Sequence, residues 1–103
     1  MNENEYPAVS RLKEWLQESE ALLARKSFHV EFKDTGQGSA CVDIDTDKYI
    51  TRLTAWDHMA CLNIEILEIE SENGKYLAEG SNDTMEEFNT RLGLYTKWLM
   101  DLT

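Results

Sequence analysis

A chain of 103 residues, 42% hydrophobic and 10% aromatic, has the length of one domain with one core and a composition unlike that of a disordered segment. Its formal charge of −10 argues against nucleic acid or an anionic membrane as a direct partner and favours a basic protein. Met1 to Tyr6 carry Glu3 and Glu5 with neither a basic start nor an apolar run, and no window matches a membrane span, so a cytoplasmic chain with reduced cysteines is expected.

Pro7 suits a helix start, and Val9, Leu12, Leu16 and Leu23 follow at near-helical spacing, with Trp15 and Leu22 widening the stripe. The pattern predicts a first helix from about Ala8 to Lys26. Its other side carries Arg11, Lys13, Glu14, Glu18 and Arg25, a solvated face with i,i+4 ion pairs. Phe28, Val30 and Phe32 then alternate with His29, Glu31 and Lys33, the period of a half-buried antiparallel strand. Thr35 to Ser39 is the turn. A second strand, about Ala40 to Thr46, sends Val42 and Ile44 inward and Asp43 and Asp45 outward. A third, about Tyr49 to Trp56, is β-rich on both faces, and Arg52 selects the wet one, which brings Trp56 with it. The fourth, about Ala60 to Glu70, alternates through Leu62, Ile64 and Ile66 and then slips to Leu67 and Ile69, which predicts a bulge near Leu67. Asn73-Gly74 reads as a hairpin turn into a short fifth strand with Tyr76 and Ala78.

Asp83-Thr84-Met85-Glu86 signals the start of a last helix, in which Met85, Phe88, Leu92, Tyr95, Leu99 and Leu102 form a core stripe. Gly93 inside that helix predicts a close approach of helix and sheet, because glycine otherwise costs about 1 kcal/mol there. The connections between strands are too short for parallel crossovers. The expected fold is therefore α+β, a five-stranded antiparallel sheet flanked by N-terminal and C-terminal helices packed on one face.

Residues 28–80 hold eleven carboxylates against Lys33, Lys48, Arg52 and Lys75, so −7 of the −10 lies in the predicted sheet. Alternation places such carboxylates on the face that the helices leave open. Two strand steps separate side chains by about 6.6 Å, close to the ~6.8 Å of axis between two phosphates along a duplex strand. An acidic strand can thus stand in for a nucleic-acid backbone in a basic groove. The residues expected to meet such a partner are Asp43, Asp45, Asp47, Arg52, Trp56, Glu65, Glu68 and Glu70, with Trp56 and Arg52 supplying interface anchor types.

Other chemistries lack their residues. Asp43-Ile44-Asp45-Thr46-Asp47 fails as a calcium loop, since Lys48 and Thr54 stand where glycine and glutamate are required. Cys41, Cys61, His29 and His58 show neither C-x-x-C nor H-x₃-H spacing, so they are read as two small hydrophobes and two isolated imidazoles. With no phosphate loop, nucleophile elbow or H-E-x-x-H, no catalytic residue, cofactor or metal is expected.

The run Asp43-Ile44-Asp45, Tyr49-Ile50, Arg52-Leu53-Thr54, Trp56-Asp57, Leu62-Asn63-Ile64-Glu65-Ile66-Leu67 and Ile69-Glu70 resembles the TriTu family of bacterial immunity proteins. The resemblance covers residues 40–72 by residue type and the rest by element order. It implies one immunity-protein-like domain over residues 1–103 and a partner that is a cognate toxin of a contact-dependent or polymorphic growth-inhibition system. That toxin would be a basic, tRNA-cleaving RNase, with elongation factor Tu in a ternary complex through the toxin. A monomer is expected. The competing reading from another class is a small acidic secretion chaperone for an effector. Such chaperones carry a helix between strand groups, and residues 28–80 hold no helix-length apolar pattern. An enzyme using the aspartate strand and a metal is a third, weaker reading.

Overall fold

The computed structural model describes residues 5–102; the argument from Met1 to Asn4 against a leader lies outside the described residues. Helix α1 (Ala8–Arg25) precedes strands β1 (His29–Asp34), β2 (Ser39–Asp45), β3 (Tyr49–Trp56), β4 (Cys61–Glu68) and β5 (Gly74–Ala78), and helix α2 (Met85–Met100) closes the order. The strands form one antiparallel sheet in sequence order. The expected α+β architecture is observed.

Both helices lie on one face, as their apolar stripes require. Val9, Leu12, Trp15 and Leu23 of α1 and Phe88, Leu92, Tyr95 and Leu99 of α2 are buried against Val42, Ile44, Leu53, Ala55, Leu62 and Ile64 of the sheet. Thr51 is the polar member of this inner face. Its hydroxyl lies between the Ile44 carbonyl and the Tyr95 hydroxyl, so neither buried oxygen is left without a partner. Burial raises the Tyr95 phenol far above its usual range. Trp15 donates its indole N–H to Thr96, 2.8 Å away, and thereby ties α1 to α2.

Three expectations are corrected. The bulge is not near Leu67: β4 keeps its alternation to Glu68, and the extra residue is Leu77 of β5, between the pairs Ile64 with Ala78 and Glu65 with Tyr76. Leu77 packs toward the core, so the bulge lets Tyr76 project outward while Ala78 still turns in. Asn73-Gly74 is not the tight turn. A loop of residues 69–73 joins β4 to β5, its positive φ falls on Glu72, and it is held by Ile69 N–H on the Lys48 carbonyl at 2.9 Å. Gly93 makes no close approach, for a Cβ there would meet nothing within 4 Å.

The cap of α2 is Thr84, whose hydroxyl accepts from Glu87 N–H at 3.1 Å while the Glu87 carboxylate accepts from Asp83 N–H at 3.1 Å. Helix α1 has no local side-chain cap; the Asp57 carboxylate, from the β3 to β4 turn, accepts from Val9 N–H at 2.9 Å instead. The same turn carries Met59 and Ala60 at positive φ, and Asn82 braces it by donating its side-chain amide to the Ala60 carbonyl at 2.7 Å.

Candidate functional site

Alternation along the strands fixes what the other face presents. In the register, one row runs Glu31, Asp43, Arg52, Glu65, Tyr76 across all five strands. A second runs His29, Asp45, Ile50, Leu67, Gly74. A third holds Lys33, Cys41, Thr54 and Asn63, and a fourth Ser39, Trp56 and Cys61. Among the described residues neither helix packs on these rows, and Ile50, Trp56, Leu67 and Tyr76 are exposed at 46%, 37%, 37% and 52%. Both cysteines are free and half-buried on this face, beside other side chains and not in the core.

The polar row is already organised. Arg52 donates to Asp43 through Nε at 2.6 Å and through a terminal nitrogen at 3.0 Å, a two-pronged pair that holds the Asp43 carboxyl below the usual carboxylate range. The same pair raises the guanidinium above its already high value. Tyr76 donates its hydroxyl to Glu65 at 3.0 Å, which raises the phenol's pKa. The sheet thus offers an arginine and a tyrosine whose orientations are set before any partner arrives. Beside them, Ile50, Leu67, Gly74 and Tyr76 frame a shallow groove of about 390 Å³ with Asp43, Arg52 and Glu65 along it.

Of the residues expected from the sequence, Asp43, Asp45, Arg52, Trp56 and Glu65 share this face. Asp47 lies in the turn between β2 and β3, and Glu70 in the loop after β4. Glu68 does not join them, because it has the parity of Leu62, Ile64 and Ile66 and pairs with Tyr49, which packs edge-on against Trp98 of α2. Sequence reasoning also made the face more acidic than it is. Four of the eleven carboxylates, Glu31, Asp43, Asp45 and Glu65, project from it, accompanied by Lys33 and Arg52. Asp34 is instead bonded to Lys13 of α1 at 2.8 Å and Asp57 caps α1. Asp47, Glu68, Glu70 and Glu72 collect, with Lys48 as the one cation of the turn and loop, at the end of the sheet where the β2 to β3 turn and the 69–73 loop are bonded together. The uncovered face is a mixed apolar and polar surface with an acidic end.

Leu67 and Tyr76 were missed as surface residues, since large side chains in strands are usually read as core. Period-two counting carried through Leu67 would have placed it outside. No sequence signal announces the bulge that turns Tyr76 outward. Among the described residues no group of three or more His, Cys, Asp or Glu side chains is placed to hold a metal ion, and no helix is long and apolar enough to cross a membrane.

Two helices on one side of an antiparallel meander, with an amphipathic face left to solvent, define an α+β fold whose free surface is the sheet itself. The family model described as Immunity protein TriTu matches residues 10–98, and the chain belongs to that family. Membership makes it an immunity protein, a protein that neutralises a cognate toxin. Comparison with curated proteins and with solved structures finds no match.

Proposed function

We propose that this chain neutralises a toxin nuclease, a tRNA-cleaving RNase, in the cytoplasm by seating its uncovered sheet face over the toxin's nucleic-acid site. The observation that carries the reading is the row Asp43, Arg52, Glu65, Tyr76 with Ile50 and Leu67 beside it and Trp56 further along β3 on the same face. Exposed Trp, Tyr and Arg side chains beside aliphatic ones are the composition of a protein interface centre, with the charges placed for selectivity. Inhibition by occlusion requires no catalytic group on the inhibitor. The acidic end, with Asp47, Glu68, Glu70 and Glu72, lies where it would draw a basic, tRNA-gripping surface toward the face before contact. Asp45 sits between the two regions. Elongation factor Tu would meet the toxin and reach this chain through it.

The secretion-chaperone reading is disfavoured by the meander. Among the described residues no helix separates β1 from β5, and both helices are committed to the core.

Co-expression with the toxin encoded beside this chain tests the proposal. Rescue of growth, together with intact tRNA in extracts containing toxin and purified chain, is the expected result. Continued tRNA cleavage at a molar excess of the chain would overturn it.

A further inference from the structure

Gly74 opens β5 on the uncovered face, opposite Leu67 in the register. Its φ is not positive, so its backbone conformation is open to any residue. A Cβ there would lie 3.7 Å from Leu67 Cδ1 and 3.8 Å from the Ile66 carbonyl oxygen, ordinary contact and not a clash. Neither turn geometry nor internal packing therefore requires glycine, which is unfavourable in a strand. What its missing side chain does is leave the 390 Å³ groove open between Ile50 and Leu67 on one side and Tyr76 on the other. Glycine in a strand commonly marks a place where another group approaches closely.

We propose that this groove is the anchor point of docking, receiving an apolar side chain of the toxin whose flanking residues are basic. The inference rests on the toxin-docking reading above and names the chemistry the toxin must present. Two features select that chemistry. The floor and walls are Ile50, Leu67 and the ring of Tyr76, which suit an aliphatic or aromatic side chain. The charges along the groove balance, Asp43 against the Arg52 it pairs with and Glu65, which accepts from the Tyr76 hydroxyl, against Lys75 on the same lining, so the groove itself recognises shape and apolar surface. The excess of negative charge lies beyond it, at the end where Asp47, Glu70 and Glu72 outnumber Lys48, and flanking lysine or arginine residues would sit there. Fast association then comes from the acidic end and slow dissociation from the groove.

The test uses the full chain and the purified, catalytically inactivated toxin domain encoded beside it. Gly74→Val fills the groove with a strand-favouring residue and is expected to keep or raise the melting temperature while weakening binding at least tenfold, through faster dissociation. Tyr76→Ala removes a wall and is expected to weaken binding in the same manner. Glu70→Gln with Glu72→Gln is expected to slow association severalfold at low salt and to leave dissociation unchanged. Binding of both Gly74→Val and Tyr76→Ala within twofold of the unaltered chain overturns the groove while leaving face docking intact. Absence of binding by the unaltered chain overturns the docking reading itself. If Gly74→Val melts early, Tyr76→Ala alone decides, since its side chain is half exposed and its loss leaves the core untouched.

Discussion

The two faces of one sheet obey different rules. On the inner face Val42, Ile44, Leu53, Leu62 and Ile64 are fully buried, and the polar exception, Thr51, has its hydroxyl bonded. On the outer face the same strands carry Cys41, Asp43, Ile50, Arg52, Trp56, Glu65 and Leu67, a mixture that no core requires. Folding dictates the first set through area removed from water. The second set is free of that demand, so its large exposed apolar side chains call for a partner.

The contrast breaks most visibly at neighbouring positions of β3. Leu53→Ala is expected to cost about 2–5 kcal/mol of stability, and Arg52→Ala less than about 1 kcal/mol. Thermal and urea melts of the two variants side by side test this; equal losses would erase the difference between the faces. Trp56→Ala sharpens it, with a stability close to that of the unaltered chain but a loss of about 2 kcal/mol in toxin affinity if the ring is a second anchor on the face.

Smaller effects test how the helices are held to the inner face. Asp57→Ala removes the acceptor for Val9 N–H and is expected to cost about 1 kcal/mol, most of which Asp57→Asn should restore in the same melts. Gly93→Ala is expected to stabilise by up to about 1 kcal/mol, because the position is helical, exposed and open to a Cβ. A destabilised Gly93→Ala would show that α2 is crowded there.

The smallest effect is electrostatic. Arg52 lowers the Asp43 carboxyl below its unfolded value, so the folded state binds fewer protons than the unfolded one as pH falls. The contribution is full above the usual aspartate range and is lost as pH drops below about 4. Because Arg52 is half exposed, it amounts to less than about 1 kcal/mol. Asp43→Asn should flatten that part of the acid stability curve; an unchanged curve would remove the pair from the account.

The inner face was legible in the sequence because period-two and near-3.6 spacing of Val42, Ile44, Leu53, Phe88, Leu92 and Tyr95 reports burial directly. Arg52 and Trp56 were placed correctly by the same alternation. The charges were harder, because a carboxylate's role depends on what comes near it in space. Asp34 meets Lys13 and Asp57 meets the start of α1, contacts between residues far apart in the chain that local pattern cannot show. Residue type alone puts Glu68 on the acidic side, although its parity belongs with Ile64 and Ile66. Gly74 resembles turn chemistry in the sequence, yet the positive φ of the loop falls on Glu72 and the space beside Leu67 is open.

Hydroxyl-radical footprinting of the chain, free and saturated with inactive toxin domain, tests most directly whether the uncovered face is the docking surface. Each side of the molecule carries its own exposed probes, Trp56 and Tyr76 on the sheet, and Leu94 and Met100, 50% and 57% exposed, on α2. Strong protection of Trp56 and Tyr76 with unchanged oxidation of Leu94 and Met100 is the expected result. Protection of Leu94 and Met100 with Trp56 and Tyr76 as reactive as before would contradict the account and place the toxin on the helices.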